Sequence, residues 1–104
     1  MKIEITAKNL EITPAITAHI EEKLGSLRKL VERIDLEEGG ELELKIRVER
    51  TSAHHHKGEI FRASADLLLP GRHLRAEDTR EDLYAAVDKV RNELRAEIGK
   101  YKEK

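Results

Sequence analysis

Phe61-Arg62-Ala63-Ser64-Ala65-Asp66-Leu67-Leu68-Leu69-Pro70-Gly71-Arg72-His73-Leu74-Arg75-Ala76 is the stretch that decides the fold. Phe61, Ala63, Ala65, Leu67 and Leu69 alternate with other residues, which is the two-residue period of a strand. Pro70-Gly71 supplies a tight turn. Leu74 and Ala76 then share a face on a short returning strand. Together these make a β-hairpin with one apolar face.

Working towards the C-terminus, Thr79 and Asp82 have the spacing of a capping box, with Asp in place of the usual Glu or Gln. Leu83, Val87, Val90, Leu94, Ile98 and Tyr101 recur at intervals of three and four, the stripe of a long amphipathic helix. Gly99 weakens a helix by ~1 kcal/mol relative to Ala, so fraying is expected in the last turn. Upstream, Leu42, Leu44, Ile46 and Val48 alternate with Glu43, Lys45, Arg47 and Glu49, a strand apolar on one face and charged on the other. Residues 51–58 read as a polar loop. Met1 to Thr6 puts Ile3 and Ile5 on one face of a first strand. Thr13 is a good N-cap and Pro14 suits the first helical position. Ile16, Ile20, Leu24, Leu27, Val31 and Ile34 continue as one stripe over about five turns.

The order is therefore β-α-β-β-β-α, an α+β fold. The expectation is a four-stranded mixed sheet with two long helices on one face. The first two strands are joined through a helix and should be parallel. The other connections suit antiparallel hairpins.

A chain of 104 residues makes one domain, 1–104. It contains no cysteine, which excludes a disulfide framework and a thiolate metal site and fits a reducing compartment. No apolar run reaches the ~20 residues of a membrane helix. The expectation is a soluble, cytoplasmic chain with no membrane partner. No glutamine and two asparagines stand beside abundant Glu, Lys and Arg, a balance seen in heat-adapted proteins.

Charged residues make up 39% of the chain, with a net charge of −1. The distribution is uneven: Lys89, Arg91, Arg95, Lys100, Lys102 and Lys104 oppose only Glu93, Glu97 and Glu103, leaving the acidic excess in residues 1–88. At 100° per residue, one flank of the last helix carries Tyr84, Arg91, Arg95 and Lys102 around Asp88. The other carries Lys89, Glu93, Glu97 and Lys100, which can pair with one another. On the first helix, His19, Lys23, Lys29 and Arg33 share a side, with Glu22 among them. Cations projecting from rigid helices suit phosphate contacts. With 3% aromatic residues, a stacking platform for single strands is not expected.

No nucleophile dyad, phosphate loop or pair of differently tuned carboxylates marks an enzyme. No cofactor and no small-molecule substrate is indicated. His54-His55-His56, with Glu59 nearby, invites a metal reading, but three consecutive rings rarely converge on one ion. A structural metal would be part of the folding free energy. The expected result is a melting temperature unmoved by a chelator, or by replacing all three histidines with serine; a stoichiometric metal surviving dialysis would contradict it.

Several pieces, in order, carry a resemblance. Ile12-Thr13-Pro14-Ala15-Ile16 opens the first helix, Glu22-Lys23-Leu24 lies within it, and Arg33-Ile34 ends it. Pro70-Gly71 and Leu74-Arg75-Ala76-Glu77 precede Asp82-Leu83-Tyr84-Ala85-Ala86-Val87-Asp88. Lys100-Tyr101-Lys102-Glu103-Lys104 closes the chain. Over its whole length the sequence resembles the ribosome hibernation-promoting factors, also called ribosome-associated inhibitor A or sigma-54 modulation proteins.

The resemblance implies a factor that binds small-subunit rRNA in the mRNA and tRNA decoding region and inhibits translation in dormancy. It implies the short form, monomeric when free, without a C-terminal dimerisation domain. It maps Lys23, Arg33, Lys100, Lys102 and Lys104 onto basic family positions and Tyr84 onto the family's aromatic. With the flank reading, the candidate rRNA-binding set is Lys23, Lys29, Arg33, Tyr84, Lys89, Arg91, Arg95, Lys100, Lys102 and Lys104. Glu93 and Ala96 stand where Lys and Arg are common in the family. They favour the alternative, a protein-interaction module of the same fold that has lost ribosome binding.

Overall fold

The computed structural model describes residues 1–51 and 60–103. His54 to His56, Glu59 and Lys104 lie outside the described residues. The elements are β1 (Lys2–Lys8), α1 (Pro14–Gly25), α2 (Arg28–Glu37), β2 (Glu43–Thr51), β3 (Ile60–Leu69), β4 (Arg72–Arg80) and α3 (Leu83–Lys102). The sheet order is β1-β2-β3-β4. β1 runs parallel to β2, and β2–β3 and β3–β4 are antiparallel.

The register places the apolar residues on one face. Leu44 is opposite Leu67, Ile46 opposite Ala65, and Val48 opposite Ala63. Ala65 and Leu67 then meet Ala76 and Leu74 on β4. All are buried, and the same core takes Ile16, Ile20 and Leu24 from α1, Val31 from α2, and Leu83, Val87, Val90, Leu94 and Ile98 from α3. All three helices thus cover one face and leave the other to charge. Pro70-Gly71 turns the β3–β4 hairpin; Gly71 sits at φ +74°, which the second central residue of a type II turn requires.

Two boundaries differ from the sequence reading. The single first helix is two. Ser26 Oγ donates to the Lys23 carbonyl at 2.6 Å. The Leu27 N–H reaches the Leu24 carbonyl and the Leu30 N–H the Leu27 carbonyl, each at 3.0 Å. Bonds spanning three residues interrupt the four-residue ladder, at a Gly-Ser pair of the kind where helices kink. The apolar stripe conceals the break because Leu24 and Leu27 are both buried at a spacing that either helix type allows.

The start of α3 also moves. Asp82, not Thr79, is the N-cap, and its side chain accepts from the Tyr84 N–H at 2.9 Å. Thr79 belongs to β4, which is longer than the expected short strand because its pairing with β3 continues to Arg80 opposite Phe61. At the first helix, Thr13 caps as expected, accepting from the Ile16 N–H at 3.2 Å with Pro14 in the first turn. Gly99 does not end α3, which runs on to Lys102. The Tyr101 hydroxyl donates to the Pro70 carbonyl at 2.9 Å, tying that last turn to the hairpin.

Carboxylates add acid-sensitive ties. The Met1 ammonium hydrogen-bonds Asp35 at 2.6 Å, and the Leu42 N–H also donates to it, at 3.1 Å. The ammonium's hydrogen bond is the main reason the Asp35 pKa lies below its ordinary 3.8. Burial pushes Asp66 up, but hydrogen bonds from Arg75 and His73 outweigh it and leave Asp66 below 3.8. Hydrogen bonds from Arg62 and Arg75 hold Glu77 below its ordinary 4.5. Each folded value is lower than the unfolded one, so each contribution is fully present above the unfolded pKa and is lost as pH falls through the folded pKa. We expect a urea midpoint that declines as pH falls below the ordinary carboxylate values, 4.5 and then 3.8. Asp66→Asn with Glu77→Gln should lower the neutral-pH midpoint and flatten that acid limb. A limb of unchanged steepness in the double variant would assign the acid sensitivity to other groups.

Candidate nucleic-acid interface

The seam between α3 and the α1–α2 pair is where the cations gather. Two contacts fix which side of α3 faces it. His19 on α1 meets Asp88 on α3, with Nε2 and Oδ1 2.8 Å apart. Fourteen residues further along, Lys102 Nζ donates to the Leu30 carbonyl of α2 at 2.9 Å. At 3.6 residues per turn, Tyr84, Asp88, Arg91, Arg95 and Lys102 fall within about 60° of arc. Arg91 and Arg95 therefore border the same seam as the two anchored residues. Lys23 follows His19 by one helical turn and lies on the same side of α1.

At the far end of the seam is an open groove of about 550 Å³. Lys29, Arg33 and Lys102 line it over a floor that includes Leu30, Ile34 and Tyr101, with Glu32 as its one carboxylate. At the near end, the Tyr84 ring meets the His19 ring edge-on, with centroids 4.7 Å apart and planes at 83°. Tyr84 is 38% exposed. It is neither a core residue nor a free-standing platform, because one side is occupied by His19.

Pairing separates the two faces of the molecule more sharply than charge count does. On the helical face, Lys23, Lys29, Lys89 and Arg95 make no ion pair with a described residue. Arg91 Nε bonds the neutral Asn92 side chain at 2.7 Å. Arg33 and Glu37 are 3.8 Å apart, with Arg33 94% exposed. On the outer sheet face, by contrast, Arg62 and Arg75 are each held by two carboxylates. Unpaired guanidinium and ammonium groups on rigid helices keep their full complement of donors for an incoming anion.

Lys23, Lys29, Arg33, Arg91, Arg95 and Lys102 therefore come together along one seam, with Tyr84 at its end. Lys89 and Lys100 lie on the opposite flank of α3, where Lys100 faces Glu97 at 3.6 Å. Lys104 lies outside the described residues. The sequence reading placed His19 on the basic side but left it out of the candidate set. Its partner Asp88 is 69 residues away, so no local pattern marks the pair. Among the described residues no group of His, Cys, Asp or Glu is placed to hold a metal ion. No described helix is long and apolar enough to cross a membrane.

The class is thus a small α+β protein with a carboxylate–arginine network on its outer sheet face and, along its helical seam, cations such as Lys23, Lys29 and Arg95 that make no ion pair with a described residue. Residues 3–104 match the family described as Sigma 54 modulation protein / S30EA ribosomal protein, and the chain belongs to that family. It is 34% identical over 108 residues to a protein named ribosome hibernation promotion factor from Lactococcus lactis, covering 98% of this chain and 50% of that protein. Proteins of the same name from Staphylococcus aureus and Deinococcus radiodurans are 31% and 28% identical, covering 98% and 95% of this chain. The chain spans about half the length of these curated relatives.

Among solved structures, the N-terminal domain of Thermus thermophilus Protein Y matches with a TM-score of 0.70 at 30% identity, over 97% of this chain and 99% of that one. A ribosomal subunit interface protein from Coxiella burnetii matches in fold, with a TM-score of 0.79 at 24% identity over the full length of both chains.

Proposed function

We propose that this chain is a ribosome hibernation factor that acts by binding alone. In this reading the α1–α2/α3 seam lies on small-subunit rRNA in the decoding region, where it excludes mRNA and tRNA anticodons and holds idle ribosomes inactive in the cytoplasm. The observation that carries it is the gathering of cations along one seam, where Lys23, Lys29 and Arg95 make no ion pair with a described residue, while Arg62 and Arg75 on the sheet are each held by two carboxylates. Family membership and the relatives' names support the ribosomal target. The decoding region comes from the family resemblance. No step of this function needs a nucleophile, a metal or a cofactor, and inhibition follows from occupancy.

The seam would place Lys23, Arg91 and Arg95 against successive phosphates. Lys29, Arg33 and Lys102 would take a further stretch of backbone at the groove. Specificity would come from the shape of the rRNA, since double-stranded RNA is read mainly by shape and backbone. Co-sedimentation with purified small subunits tests this directly. We expect saturable binding near one per subunit and inhibition of translation in a reconstituted system. With Z phosphates neutralised, log K should fall against log salt with a slope of roughly −0.7Z to −0.9Z. Binding unchanged between low and moderate salt would contradict the electrostatic seam. Absence of co-sedimentation at any salt would favour the protein-interaction module instead.

A further inference from the structure

The outer sheet face also carries three arginines, Arg47, Arg62 and Arg75, yet it is built in the opposite way from the seam. Wherever the register sets two charged residues of this face opposite each other, their signs are opposite. This holds for Lys2 and Glu43, Glu4 and Lys45, and Lys8 and Glu49 across β1–β2. It holds for Lys45 and Asp66, Glu49 and Arg62, and Asp66 and Arg75 across the hairpins. The side chains close into a continuous network. Glu49 is 3.7 Å from Arg62, and Arg62 donates to Glu77 at 2.7 Å. Arg75 donates to Glu77 at 3.0 Å and to both Asp66 oxygens at 2.9 Å. His73 closes the end, 2.7 Å from Asp66. Three carboxylates thus hold two guanidiniums. Beside them, a groove of about 410 Å³ is lined by Lys8, Arg47, Arg62 and Arg75 together with Glu49 and Asp66. Without the carboxylates, four cations would surround that groove.

From this arrangement we infer that Glu49, Asp66 and Glu77 are specificity determinants. They occupy Arg62 and Arg75, two of the three arginines of the outer sheet face, confine RNA binding to the helical seam, and mask a second RNA site that is indifferent to sequence. The inference rests on the RNA-binding reading above. A phosphate approaching Arg62 or Arg75 must displace a carboxylate already in hydrogen-bonding geometry and face the repulsion of the remaining two. At the seam it meets no such competitor at Lys23, Lys29 or Arg95. A protein that must find one rRNA site among many phosphates gains selectivity when its other cations are kept occupied, because repulsion against wrong partners is half of specificity.

The test uses the full chain and poly-uridine, an unstructured RNA that presents phosphates without shape. Glu49→Gln with Asp66→Asn and Glu77→Gln removes the masking carboxylates. Glu11→Gln with Glu38→Gln and Glu41→Gln makes the same change in net charge without releasing any guanidinium. We expect the first variant to bind poly-uridine at least roughly tenfold more tightly than the unaltered chain, with a salt dependence steeper by about one to two phosphates, and the second to change little. We also expect only the first to bind small subunits beyond one per particle.

Equal gains in both variants would reduce the effect to net charge and overturn the inference. No gain in the first would show that the network serves only the sheet. Melting curves check that each variant is folded. If the triple variant is not, Asp66→Asn alone releases the bidentate partner of Arg75 and is read in the same way. Small-subunit binding by the unaltered chain reports on the proposed function separately, so failure of one is distinguishable from failure of the other.

Discussion

Reversing the charge of Lys23, Arg91, Arg95 and Lys102 together is expected to abolish binding to the small ribosomal subunit while leaving the protein folded. None of the four is in the buried core. Among the described residues none is held by a carboxylate, and the one tertiary tie is the Lys102 hydrogen bond to the Leu30 carbonyl. Each reversal replaces attraction to a phosphate with repulsion. Four phosphate contacts correspond to a salt slope of roughly −3, and we expect affinity to fall at least about a hundredfold at moderate salt. The matched control reverses Lys2, Lys8, Lys45 and Arg47 on the outer sheet face. Arg62 and Arg75 are left unchanged there, because each donates hydrogen bonds to carboxylates that help hold the sheet. Sedimentation with small subunits and a melting curve for each variant give the answer. Equal loss of binding from both sets would mean that the effect is nonspecific and that the seam is not the site.

The second large effect is on stability. Leu94 is 0% exposed at the middle of α3, between Arg91 and Arg95. Leu94→Ala deletes buried methyl groups and leaves a cavity, which should destabilise the fold by about 2–5 kcal/mol. For a domain of this size each kcal/mol lowers the melting temperature by roughly 4–8 °C. Leu36→Ala removes the same atoms from a side chain that is 72% exposed, and such surface changes usually stay within about 0.5 kcal/mol. Urea denaturation of the two variants compares one chemical deletion in two environments. Similar midpoints would mean that α3 does not pack as described. Where Leu94→Ala remains folded, small-subunit affinity should also weaken, because the same burial sets the orientation of Arg91 and Arg95.

The element types and their order were legible wherever one face of an element is buried. Leu42 to Val48 and Phe61 to Leu69 alternate because a sheet with one wet face demands it, and the observed register puts those residues on the core side. Thr13-Pro14 marks a helix start through purely local chemistry, and the structure keeps it. The family was legible too, through short pieces spread along the chain. What failed was local geometry that burial does not report. The Ser26–Leu27 break leaves the apolar stripe intact, so periodicity passes over it. Thr79 and Asp82 both suit a cap, and only the length of the β3–β4 ladder decides between them.

By itself, then, the sequence determined the strand and helix pattern, the mixed sheet with its helices on one face, the absence of cysteine chemistry, and the cationic flank of the last helix. Each of these is written in residues a few positions apart. Only the tertiary structure decided which cations act together and which are already occupied. His19 with Asp88, Lys102 with Leu30, and Asp66 with Arg75 join residues on different elements, and whether a charge is free or paired depends on neighbours that folding alone brings within hydrogen-bonding distance.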